Sequence, residues 1–209
     1  MPISTAVPAL IPLSLLEAIR NLDTPVEDGL DELAEEIVVR RLGLSPTVAA
    51  QIQRYRQTAE KDGSVDADEA ISVLRLVGRR PDAPLVFADA GRRAARYAAR
   101  AHARPSWTLA RVTAGGLTRR LAQRSATHLA RRAFDGELHP ASDGVQVRMA
   151  EPLSFKALPD GSACDFYGAA YGELLRRLTG FEGAMLHQRC RARGDEACLW
   201  QSAAAEIYE

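Results

Sequence analysis

The residues best suited to chemistry lie close together near the C-terminal end. All three cysteines of the chain are there, as Cys164, Cys190 and Cys198. His187 stands just before Cys190, and Cys190 and Cys198 are placed symmetrically about Gly194. Three thiolates and one imidazole make a Cys₃His set that suits tetrahedral Zn²⁺. Four protein ligands would close the coordination sphere and leave no position for a catalytic water, so such a zinc is structural. The competing reading is three buried free thiols beside an unrelated surface histidine, because cysteine is often buried. Geometry adds a condition. His187 and Cys190 differ by three, so a regular strand points them to opposite faces. One ion reaches both only if the strand is bulged or begins after His187.

These residues need elements to position them. Residues 184–191 and 197–202 read as a hairpin around Arg193-Gly194-Asp195. Residues 164–179 read as a helix with Phe166, Ala170, Leu174, Leu175 and Leu178 at apolar positions and Gly180 as its C-terminal glycine. Val145-Gln146-Val147-Arg148-Met149 alternates and reads as a strand.

The upstream part reads as helical. Leu13, Leu15, Leu16, Ile19 and Leu22 mark one helix, ended by Asp23-Thr24-Pro25. Leu30, Leu33, Ile37 and Val38 mark a second, and Ser45-Pro46 opens a third that runs to about residue 58. Residues 58–69 admit a calcium-loop alignment on Gly63 and Glu69, but Thr58 then stands where the first acidic ligand belongs. A turn at Asp62-Gly63 followed by a capping box, Asp66 with Glu69, explains the same residues and opens a helix over 67–77. Two further helices are expected over 85–103 and 117–134. The fold class is therefore α+β, a helical N-terminal extension over residues 1–80 and an antiparallel sheet covered by helices over 81–209.

Composition narrows the function classes. Zero net charge at 209 residues hides a partition. Residues 1–89 carry a net −6, residues 90–134 carry +11 with no acid, and residues 135–209 carry −5. Nucleic acid is not expected as a partner, because no aromatics alternate with the arginines. No apolar run is long enough for a transmembrane helix. The first residues lack a basic start, and Pro8 and Pro12 break the apolar stretch, so they do not read as a signal peptide. An odd cysteine count argues against a disulfide framework. A cytoplasmic location follows by default.

The C-terminal motifs carry a family resemblance. Cys164-Asp165-Phe166-Tyr167-Gly168, Leu174-Leu175-Arg176-Arg177-Leu178-Thr179-Gly180 and the run His187, Cys190, Ala192, Gly194-Asp195, Cys198, Trp200 resemble the 4-vinyl reductase domain family. That family includes sensor domains of aromatic-responsive bacterial activators and shares its fold with a eukaryotic vesicle-tethering subunit. In the sensor members three cysteines and one acidic residue hold zinc. The resemblance places Cys164, Cys190 and Cys198 as the thiolates, with His187 in the acidic ligand's place. Upstream, residues 88–97 and Glu151-Pro152-Leu153 resemble the bacteriochlorophyll-biosynthesis 4-vinyl reductase proteins. The match covers residues 65–203. The family's aromatic- and glycine-rich segment is absent in clean form, with Thr113-Ala114-Gly115-Gly116 its nearest counterpart.

The resemblance implies an apolar pocket for a small hydrophobic ligand beneath the helical layer. Phe87, Trp107, Leu121, Phe134, Phe155, Phe166 and Tyr167 are the candidate wall residues, each of them also readable as plain core. Arginine pairs bidentately with carboxylate, so the cationic block suits an anionic tetrapyrrole. No nucleophile triad, phosphate loop or nicotinamide motif is present, and His102, His128 and His139 are isolated. The expected function is non-catalytic: an accessory or carrier protein for a tetrapyrrole intermediate of bacteriochlorophyll biosynthesis, working with a biosynthetic enzyme. The alternatives are a regulatory sensor that binds a small aromatic and signals through a partner, and a divinyl-tetrapyrrole reductase. A homodimer is the expected assembly.

Overall fold

The computed structural model describes residues 6–24, 45–101, 116–141 and 144–204, with the backbone alone at 116–119. The chain opens with strand β1 (Ala6–Pro8) and helix α1 (Leu10–Asp23). Helix α2 (Pro46–Glu60) follows, then strand β2 (Ser64–Asp66) and helix α3 (Ala67–Gly78). Two long helices come next, α4 (Ala83–Ala101) and α5 (Gly116–Phe134). Strands β3 (Glu137–Ala141) and β4 (Gly144–Met149) form a hairpin. Short helix α6 (Leu153–Ala157) leads to α7 (Cys164–Thr179). Strands β5 (Gly183–Arg189) and β6 (Cys198–Ala204) end the described chain.

Local chemistry explains the boundaries. Ser45 caps α2 by accepting from the Val48 N–H, with Pro46 at the first helical position. Gly180 ends α7 in the left-handed conformation, φ 72°. The helix expected over residues 30–43 lies outside the described residues, as do positions 102 and 103 of the helix expected to reach that far. The capping box at α3 is half made. Asp66 caps, but its carboxylate takes the Asp68 N–H, and Glu69 turns away to accept from the buried Tyr55 hydroxyl at 2.5 Å and to pair with Arg54. The charge of Arg54 and a hydroxyl that needs a partner outweigh the return bond to the cap.

The four-stranded sheet is antiparallel with order β3-β4-β6-β5, and β1 pairs with β2 in a separate two-stranded sheet. An α+β architecture is thus present. Strand β3 carries Glu137, His139 and Pro140 and has no apolar alternation, which is why its pattern does not announce a strand.

Helix α7 lies between the sheet and α4. Ala90, Gly91, Ala94, Ala95 and Ala98 give α4 a small-residue face. A Cβ built on Gly91 would stand 2.1 Å from the Phe166 carbonyl oxygen, so the two helix backbones touch there. One buried cluster runs from Ile11 on α1 through Phe87 and Phe166 to Trp200 on β6. The upstream helices and the sheet therefore share a core.

Candidate metal centre

Three elements meet at the cysteines. Cys164 is the first residue of α7, Cys190 follows β5, and Cys198 opens β6 beside Met149 of β4. All three thiols are buried and unpaired. The hairpin is irregular at the point where the spacing demanded it. His187 pairs with Trp200, but Arg189 pairs with Leu199, so Gln188 is an extra residue in β5. That bulge restores parity, and His187 and Cys190 turn to the same side. Single donor atoms of Cys164, His187, Cys190 and Cys198 all lie within 4.8 Å of one another. The four residues are close enough to hold a metal ion.

The connection between β5 and β6 is wider than a three-residue turn. It contains one turn of 3-10 helix over Arg191–Arg193 and then Gly194 at φ 93°. Backbone and side chain lock this loop. The Asp195 carboxylate accepts from the Cys190 N–H at 2.7 Å, and the Cys190 carbonyl accepts from the Arg193 N–H at 2.8 Å. The Arg191 N–H points at the Cys198 sulfur at 3.5 Å. The Arg191 side chain donates to the carbonyls of Ala150 and Glu196 and lies over the Phe155 ring. Gly161, at φ 81°, completes the cradle, since a Cβ there would stand 3.0 Å from the Cys190 sulfur. Gly161 and Ser154 carry no donor pattern of their own in the sequence, so only their position identifies them, and Asp195 is read there only as part of the turn and of the family motif.

The electrostatics fit bound positive charge. The Cys198 thiol is pulled below the ordinary thiol range by its contact with Cys164, against burial, with help from His187 and the Arg191 N–H. The same contact and burial drive the Cys164 thiol up, and the Ser154 hydroxyl, 3.4 Å away, opposes this only in part. Cys164 thus keeps its proton while Cys198 gives its proton up, a crowding of sulfurs that a cation relieves. The first turn of α7 adds the positive end of a helix dipole beside Cys164. Moreover, the His187 Nε2 atom is buried with no hydrogen-bond partner. Buried polar atoms ordinarily have one, and a metal ion beside this ring would answer that need.

Of the seven residues expected to line a ligand pocket, the six that are described border neither of the two cavities given below. Phe87, Phe134, Phe166 and Tyr167 are buried in the core. Phe134 meets Phe166 edge-on at 6.4 Å, and Phe166 meets Tyr167 edge-on at 5.2 Å. Tyr171 and Trp200 complete this aromatic layer. Phe155 is half-buried under Arg191, Leu121 is exposed on α5, and Trp107 lies outside the described residues. Other residues line two cavities. One of about 790 Å³ is bordered by Leu16, Val48, Tyr55, Glu69, Arg75 and Arg79 among others. One of about 380 Å³ has Leu10, Leu13, Tyr97 and Ala98 in its wall, with Arg56 and Arg100 also bordering it.

Among the described residues, no helix is long and apolar enough to cross a membrane. No family model, curated protein or solved structure matches this chain.

Proposed function

We propose that this chain is a non-catalytic protein that binds a small hydrophobic ligand, with its C-terminal half held together by a structural zinc ion. The closure of four donors within 4.8 Å carries the zinc part of this reading. A thiolate-rich set with one imidazole suits Zn²⁺ over the hard cations that take oxygen ligands. Sulfurs on one tetrahedral zinc are about 3.8 Å apart, given Zn–S bonds of about 2.3 Å. The Cys190 and Cys198 sulfurs are 4.0 Å apart. Cys164, His187, Cys190 and Cys198 would hold the ion. Bound there, zinc supplies cross-linking rather than Lewis-acid chemistry, because every position is taken by protein. It ties the start of α7 to both strands of the β5–β6 hairpin.

The ligand part rests on the resemblance of residues 164–200 to the 4-vinyl reductase domain family. In this reading the ligand is a tetrapyrrole intermediate of bacteriochlorophyll biosynthesis, and the protein is its carrier. The cavity of about 380 Å³ favours a second reading. That volume lies at the lower end for small-molecule sites, about 300–1,000 Å³, and suits a small aromatic of the kind a regulatory sensor detects.

Metal analysis of the purified protein tests the zinc: about one zinc per chain is expected, and a stable, correctly folded, metal-free protein refutes it. Absorbance separates the ligand readings. Retention of added protochlorophyllide supports the carrier, and saturable binding of a small aromatic without pigment affinity supports the sensor.

A further inference from the structure

We propose that Arg96, Arg176 and Arg177 form a binding site for a phosphate dianion, presented by a small phosphomonoester. The arginines of α7 lie in its last turn, at the opposite end from Cys164, and the site uses none of the four candidate metal donors. Helices α4 and α7 run parallel, with Gly91 against residues 166–170 and Arg96 against Glu173. Three guanidiniums converge there on one buried carboxylate. Glu173 accepts from Arg96 Nε at 3.1 Å, from Arg176 Nη1 at 2.7 Å and from Arg177 Nε at 2.7 Å.

One guanidinium is enough to neutralise one buried carboxylate. The other two bring like charges together and leave a formal +2 on the cluster. The C-terminal end of α7 offsets only about half a charge of this. The three side chains remain 37%, 49% and 40% exposed, so their outer N–H groups face solvent. Each guanidinium carries five N–H donors in a rigid fork, the shape that grips phosphate. Glu173 fixes the inner edge of all three forks, which pre-organises the outer edge and lowers the entropy lost on binding. Arg100, one turn beyond Arg96 on α4, is in no ion pair among the described residues and adds to the positive field. A dianion neutralises the surplus, and a monoester of phosphate supplies that charge near pH 7.

Calorimetry and thermal denaturation of the full chain test the site, with inorganic phosphate and glycerol 3-phosphate against chloride at matched ionic strength. Phosphatidic acid vesicles form a third arm. The two soluble phosphates are expected to bind saturably and raise Tm, and Arg176→Gln and Arg177→Gln each to weaken binding about tenfold or more. Phosphate that raises Tm no more than chloride overturns the proposal. So does affinity unchanged in both variants, or binding confined to the vesicles. Should a variant fail to fold, the unsubstituted protein still decides: the Arg96 and Arg177 Nε resonances must shift saturably with phosphate, and resonances that stay in place overturn the site.

Discussion

The His187 imidazole lies flat against the Trp200 indole, ring centroids 4.6 Å apart and planes within 9°. A donor to the candidate metal centre is thereby stacked on the centre of the aromatic core. Trp200 in turn meets Tyr171 and Tyr167 on α7 at 5.7 and 6.0 Å. The indole serves as the floor that sets the plane of the imidazole, and the bulge at Gln188 sets its direction.

This stacking gives an optical report of the metal. In a Trp107→Phe background, Trp200 is the sole tryptophan. Chelation of zinc is expected to change its emission intensity or wavelength, and re-addition of one equivalent to restore it. Emission that ignores both steps would show that His187 is no ligand.

Loss of a thiolate should be felt as loss of fold. Cys164→Ser and Cys198→Ser are each expected to lose the metal and about 3 kcal/mol or more of stability, since structural zinc contributes folding free energy directly. Denaturant melts with parallel metal analysis check this. A surface change away from the centre, such as Gln123→Ser on α5, should retain the ion.

The contact between α4 and α7 makes a sharper test of the packing. Gly91→Ala places a methyl against the Phe166 carbonyl, and the helices must separate, at a cost of about 1–3 kcal/mol. Gly172→Ala on α7 meets nothing nearer than Met185 Cγ at 3.7 Å, an ordinary contact. It should stabilise by about 0.5–1 kcal/mol through helix propensity. Equal effects of the two in urea melts would contradict the described crossing.

Buried Glu17 on α1 accepts from Arg56 on α2 at 2.7 Å and from the Tyr97 hydroxyl on α4 at 2.6 Å. Burial first, and then Glu17, push the Tyr97 hydroxyl up to about 12. The folded state therefore holds this proton more tightly than the unfolded chain, whose tyrosine titrates near 10. The linked stability is complete below pH 10 and is lost as pH rises toward 12. Melts between pH 9 and 12 should show a smaller alkaline loss in Tyr97→Phe than in the parent protein, and identical slopes would rule this linkage out.

Much of the fold was legible in local pattern. The helix over residues 164–179 and its glycine stop rest on 3.6-residue spacing and on a left-handed terminus, both of which are properties of neighbouring residues. Ser45-Pro46 marked the start of α2 for the same kind of reason. Strand β3 was not legible, because it is held by pairing with β4 rather than by its own alternation.

The candidate metal centre divides in the same way. Residue type and order singled out the four candidate donors and the condition that a bulge must meet if one ion is to reach His187 and Cys190. Only the tertiary structure decided that Gln188 supplies the bulge, that Gly161 and Asp195 shape the cradle, and that Phe134, Phe166 and Tyr167 pack as core while cavities lie elsewhere. The physical reason is that a ligand set depends on a few side chains of special chemistry. A pocket depends on where the packing of many ordinary side chains leaves space, and no short stretch of sequence contains that sum.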